Sequence, residues 1–144
     1  MILDSTYLLP LARIAIDTDL LTAIIKREAD LNLEDLTINS ISIFELQAKA
    51  AKLKVPPEYV VEAVEAIFNA FKVEPFHKPE IIEASYRLRK LIPDYIDSVV
   101  VATAITLKED LITEDSLILA KAEAIENEYS INIFSFKDLV RKGE

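Results

Sequence analysis

Short runs of extended character recur along this chain between longer stretches of helical period, and that alternation is the tightest constraint on its fold. Met1–Leu3, Leu36–Ile41, Lys72–Phe76, Asp110–Thr113 and Ser130–Phe134 read as strands, the first reaching Asp4 and Ser5. Helical patterns fill the intervals: Tyr7–Ile16, Asp19–Glu28, Ser42–Lys54, Glu58–Phe71, Pro79 to about Leu91, a segment opening at Asp94 or Asp97, Ser116–Glu128 and Phe136–Lys142. Val55-Pro56-Pro57 and Pro93 supply the stops, because a proline removes a backbone donor and forces the residue before it out of the helical region. Strands separated by helices join through crossovers, and crossovers give parallel pairing with helices on both faces. The expected fold is α/β: a single domain over residues 1–144, built as a three-layer α/β/α sandwich with a mostly parallel sheet of about five strands. The apolar run Val99–Leu107 fits, since a helix with so little polar surface must be buried.

Composition narrows the chemistry. The chain has no Cys, which excludes disulfide scaffolds, thiolate metal sites and cysteine nucleophiles. It has one His, His77, so a histidine relay or a multi-histidine metal site would rest on that residue alone. His77 sits in a turn-like segment between Phe76 and Lys78 and reads as structural or exposed. Its one Gly, Gly143, cannot build a dinucleotide fingerprint or a phosphate loop. Any chemistry must fall to carboxylates. The formal charge of −9 argues against broad adhesion to nucleic acid or anionic membrane while allowing a narrow basic track. No apolar run approaches the ~20 residues that span a bilayer, and the first residues lack a basic leader. A soluble, cytoplasmic protein without a membrane partner is expected.

In an open α/β sheet, ligands bind beyond the carboxyl ends of the strands. Four junctions there carry an acid: Asp4 after the first strand, Glu45 in the first turn after the second, Asp97 at the start of the buried helix, and Asp115 after Leu111–Thr113. Each has a structural reading. Ser42-Ile-Phe-Glu45 is a capping-box pattern, Asp97 suits a helix first turn with Asp94 as cap, and Asp115 suits an N-cap. Asp4 resists such a reading, because a carboxylate at the end of a buried strand is costly without a positive partner. Asp97 lies on one helical face with Val100, Val101 and Ala104, which are expected to pack inward. Carboxylates gathered in one cleft repel unless they take up protons or bind a cation. Without Cys or a His cluster, oxygen ligands favour a hard cation, Mg²⁺ or Mn²⁺.

The sequence resembles the PIN-domain family, and within it the VapC-type toxins of prokaryotic toxin–antitoxin pairs, over essentially its whole length. The resemblance rests on the apolar strand ending in Asp4-Ser5-Thr6, on Ile43-Phe44-Glu45, on Asp97-Ser98-Val99-Val100-Val101-Ala102-Thr103-Ala104, and on the T-x-D at Thr113-Glu114-Asp115, in that order. The chain departs from ordinary members in its scarcity of glycine. The resemblance implies a metal-dependent endoribonuclease in which Asp4, Glu45, Asp97 and Asp115 are the catalytic and metal-holding acids, with Thr113 and Ser5 as polar support. It also implies an antitoxin partner and a homodimer.

Substrate binding requires positive charge. Lys49 and Lys52 follow Glu45 by four and seven residues, near its helical face, and are candidates for phosphate contact. An ordinary Glu-to-Lys helix pair is the plainer reading. Arg87, Arg89 and Lys90 form a second candidate track or a solvated face. Two other functions stay open. A catalytically silent or inhibited interaction module could use the apolar stripe of Glu58–Phe71 to bind a partner, although core packing explains that stripe equally. An aspartyl-phosphate enzyme is disfavoured, because position 6 is Thr where a D-x-D pair needs an acid.

Overall fold

A computed structural model describes residues 1–141. Five short strands, β1 (Ile2–Leu3), β2 (Thr37–Asn39), β3 (Lys72–Glu74), β4 (Leu111–Ile112) and β5 (Ile133–Phe134), form one sheet. The order is β3-β2-β1-β4-β5, every pair parallel, with Ile2 opposite both Thr37 and Leu111. The chain thus builds outward from β1 on one side, crosses back, and builds outward on the other. The switch point falls between β1 and β4.

Adjacent strand residues point to opposite faces, and in β1 and β4 both members of each pair are apolar. Leu3 and Ile112 join one core with Ile38, Tyr7, Leu8, Leu46 and Ile67. Ile2 and Leu111 join the other with Leu88, Val101, Ile118, Ile125 and Ile133. The first core is covered by a 3-10 helix (Ser5–Ala12), α1 (Leu20–Ile25), α2 (Ser40–Lys52) and α3 (Pro57–Ala70). The second is covered by α4 (Pro79–Leu88), α5 (Tyr95–Leu107), α6 (Ser116–Ala120) and α7 (Ala122–Tyr129). α8 (Phe136–Leu139) packs at the rim of the first. This is the expected three-layer α/β/α sandwich, and α5 is buried continuously from Ser98 to Ala104.

Several boundaries differ from those read in the sequence. The first helix is not Tyr7–Ile16 but the tighter Ser5–Ala12, with Pro10 inside it and Arg13 closing it in the left-handed region at φ 63°. A proline has no N–H for the longer helical bond, and the 3-10 turn absorbs that loss. α2 starts at Ser40, two residues early, because the Asn39 side chain caps it by accepting from Ile41 N at 2.8 Å. The Ser42–Glu45 capping box is therefore not formed: Ser42 lies inside the helix, with a buried hydroxyl that lacks a hydrogen-bond partner among the described residues. The helix expected over Ser116–Glu128 divides at Lys121. α8 ends at Leu139, where Val140 turns extended and bridges Ala29, while Lys142 lies outside the described residues. His77 is exposed, edge-to-face with Phe76.

One glycine serves 144 residues, so left-handed positions fall to other side chains: Arg13, Arg27, Lys54, Lys108 and Ser130 all have positive φ. Lys108 and Ser130 close α5 and α7 in this way.

Candidate functional site

The end of β1 places Asp4 at the switch point. Asp4 is 6% exposed, and its carboxylate is held from two sides: Ser5 N donates to Oδ1 at 2.7 Å, and the Thr113 hydroxyl donates to Oδ2 at 2.7 Å. The backbone supports this join, Asp4 N donating to Ile112 O and Thr113 N to Phe134 O. Burial is the largest influence on Asp4 and raises its pKa; the hydrogen bonds from Thr113 and Ser5 oppose it, and the charge of Asp115 adds to it.

Thr113 has a second function. Its hydroxyl oxygen accepts from Asp115 N at 3.0 Å, so one side chain orients the acids following two neighbouring strands. Asp115 is also the N-cap of α6, accepting from Ile118 N at 2.9 Å, which leaves its other carboxylate oxygen for the cleft. The structural and functional readings of this acid are therefore compatible.

Glu45 stands in the second turn of α2 and is half-buried; its pKa is raised to about 7, first by burial and then by the charge of Asp4, with Asp94 and Asp115 contributing. Asp97 stands in the first turn of α5, and Asp94 is the cap, accepting from Asp97 N at 3.0 Å. The Asp97 pKa is also raised to about 7, by burial first and then by Asp115, Asp94, Asp4 and Glu45. The sheet thus brings all four sequence-selected acids within electrostatic reach of one another. No ion pair neutralises any of them among the described residues.

As they stand, no three acidic or imidazole side chains among the described residues are drawn in far enough to enclose a metal ion. The donor set nevertheless fits a hard divalent cation. It consists of oxygen donors alone; burial first, and the neighbouring carboxylates second, raise the pKa of Glu45 and Asp97 to about 7, and a cation offsets both influences.

Ser5, Thr6, Leu9, Glu45, Leu46 and Lys49 line a cavity of about 220 Å³ beside the acids. Lys49 and Lys52 are exposed, and neither pairs with a described acid, so the Glu45–Lys49 helix pair is not formed. The site is flanked by residues the sequence reading did not select. Asn39, fully buried, donates from Nδ2 to the Thr103 hydroxyl at 2.8 Å and so ties the cap of α2 to α5. Glu114 accepts from the buried Tyr7 hydroxyl and from Phe136 N, fastening the T-x-D loop to the first helix and to α8. An Asn directly before a helical run was the available signal for the first; nothing local marked the second.

A model of the PIN domain matches residues 1–127. The chain belongs to the PIN domain family. Its PIN fold is similar to solved structures at low identity. FitAcB from Neisseria gonorrhoeae aligns with a TM-score of 0.65 at 18% identity, over 96% of this chain and 99% of that one. VapBC2 from Rickettsia felis, bound to a DNA fragment from their promoter, aligns at 0.64 and 15% identity, over 93% and 96%. A toxin–antitoxin complex from Klebsiella pneumoniae aligns at 0.58 and 18%, over 80% and 86%. No curated protein matches the chain by sequence. No described helix of this PIN protein is long and apolar enough to cross a membrane.

Proposed function

We propose that this PIN domain is a metal-dependent endoribonuclease acting as the toxin of a type II toxin–antitoxin pair, with Asp4, Glu45, Asp97 and Asp115 as its working acids. The observation that carries the reading is the convergence of four carboxylates, from four separate chain segments, at one end of the sheet without a described cationic partner. Such an arrangement is unfavourable for folding and useful for holding a cation. Mg²⁺ or Mn²⁺ bound there would offset phosphate charge and make water a better nucleophile near neutral pH. Asp4, Asp97 and Asp115 would hold the ion and Glu45 would complete the set, directly or through water. Thr113 and the Ser5 amide fix Asp4 so that its oxygens are oriented before the ion arrives. Lys49 and Lys52, on the next turns of α2 from Glu45, would meet phosphates of the RNA.

The toxin assignment draws on the fold neighbours, solved as toxin–antitoxin or FitAcB and VapBC2 assemblies. It also draws on the surface of α3. Ile67 and Phe71 of the apolar stripe are buried, whereas Val61 and Phe68 are 56% and 59% exposed. An antitoxin helix, or a second copy in a homodimer, would cover that exposed part. The reading places the protein in the cytoplasm and treats residues 1–144 as one domain. RNA cleavage in Mn²⁺, with EDTA and Asp97→Asn as controls, tests it. Cleavage abolished by both controls is expected; cleavage that survives both overturns the assignment.

A further inference from the structure

Between α2 and the first turn of α5 lies a second cleft, of about 280 Å³, lined by Phe44, Ala48, Lys49, Lys52 and Ile96 with Glu45 at its edge. Glu45 and Lys49 also line the cavity beside Ser5 and Thr6, so they form the ridge between two compartments. The two compartments differ. One is bounded by hydroxyl groups and faces the acids; the other is walled by an aromatic ring and two aliphatic side chains, with two ammonium groups beside them. Phe44 is 60% exposed and belongs to neither apolar core, unlike Ile43 and Leu46 of the same helix. Lys49 and Lys52 pair with no described acid although the chain carries a formal charge of −9.

A bare ring flanked by unpaired cations, next to a phosphate-processing site, matches the two faces of an unpaired nucleotide. The base is flat and apolar, and its phosphates are anionic. In a duplex the base faces are stacked inside and out of reach, whereas a single strand presents them to aromatic side chains. We propose that the α2–α5 cleft seats one unpaired base of a single-stranded RNA against Phe44, with Lys49 and Lys52 on the adjoining phosphates. The proposal rests on the ribonuclease reading of the acids and adds to it a base subsite built on Phe44 next to Glu45.

The test is fluorescence anisotropy with a labelled eight-nucleotide oligouridylate and with a duplex of the same length, in Ca²⁺, on the wild-type chain, Phe44→Ala and Phe44→Trp. The single strand should bind about tenfold more tightly than the duplex; Phe44→Ala should lose about tenfold of that affinity, and Phe44→Trp should restore it. Equal affinity of wild type and Phe44→Ala, at matching melting temperatures, overturns the proposal. A Phe44→Ala loss that coincides with dissociation of a dimer in sedimentation also overturns it and assigns the surface to protein contact. Single-strand binding without Mn²⁺-dependent cleavage overturns the ribonuclease reading alone and leaves the base subsite standing.

Discussion

The Thr113 hydroxyl stands 2.7 Å from Asp4 Oδ2 and 3.0 Å from Asp115 N, donating to the first and accepting from the second. It is fully buried, so no water can take its place. Thr113→Val keeps the shape, removes the donor to a buried carboxylate, and leaves an amide unpaired, which costs about 1–3 kcal/mol. It also removes an influence that favours the charged form of Asp4, so divalent-ion affinity at neutral pH should fall by about 10–100-fold. Thr113→Ser should recover most of both losses. Calorimetric titration with Mn²⁺ and a thermal melt measure the two effects, and an unchanged ion affinity in Thr113→Val would remove Thr113 from the site.

The raised pKa values make stability fall with pH when no metal is present. Glu45 and Asp97 move from 4.5 and 3.8 in the ordinary state to about 7 in the fold, and Asp4 is also raised. Between about pH 4 and 7 the folded chain holds protons that the unfolded chain has released, so unfolding becomes easier as pH rises through that window. In EDTA the melting temperature should therefore be lower at pH 8 than at pH 5.5. Mn²⁺ binds the deprotonated acids and should raise the melting temperature more at pH 8 than at pH 5.5. Asp97→Asn should melt higher than wild type in EDTA at pH 8 and respond less to Mn²⁺. A wild-type melt that rises with pH in EDTA contradicts the crowding of these acids.

The four acids are legible in the sequence because Asp4 and Asp115 follow apolar strands, Asp97 lies in the first turn of a helix and Glu45 lies in the helix that follows β2, one turn later than the sequence suggests, and parallel α/β topology assigns such positions to one end of the sheet. Their electrostatics are not, since the influence of Asp115 on Asp97 or of Asp4 on Glu45 exists only after the strands are ordered. A helix start is ambiguous in the sequence where two local signals compete. Ser42 and Glu45 carry the capping-box pattern, yet Asn39 caps first and draws Ser40 and Ile41 into the helix. The apolar stripe of α3 could not be divided into core and surface by period alone, because Val61 and Phe68 share the pattern of Ile67 and Phe71.

The competition between caps gives a pair of opposed outcomes. Asn39→Ala removes a helix cap and leaves the Thr103 hydroxyl without its donor, for a loss of about 1–3 kcal/mol. Ser42→Ala removes a buried hydroxyl that has no described partner and should be neutral or slightly stabilising. Urea unfolding of the two variants separates these assignments. A larger loss in Ser42→Ala than in Asn39→Ala would return the cap to Ser42.

Scarcity of glycine predicts a stabilising substitution. Lys108 closes α5 at φ 55°, ψ 46°, a left-handed conformation in which a Cβ crowds the carbonyl that follows. Its backbone N–H bonds the carbonyls of Ala104 and Ile105, so Lys108→Gly keeps the cap and removes the crowding. Glycine is more flexible in the unfolded chain and gives back part of the gain, which leaves a net stabilisation of about 0.5–1 kcal/mol. For a chain of this length that is a rise of roughly 1.5–3.5 °C in melting temperature. Lys108 is remote in sequence from the acids, at the far end of α5 from Asp97, so RNA cleavage should be unaffected. A melting temperature that falls in Lys108→Gly would mean that the lysine side chain stabilises the helix end by more than its backbone conformation costs.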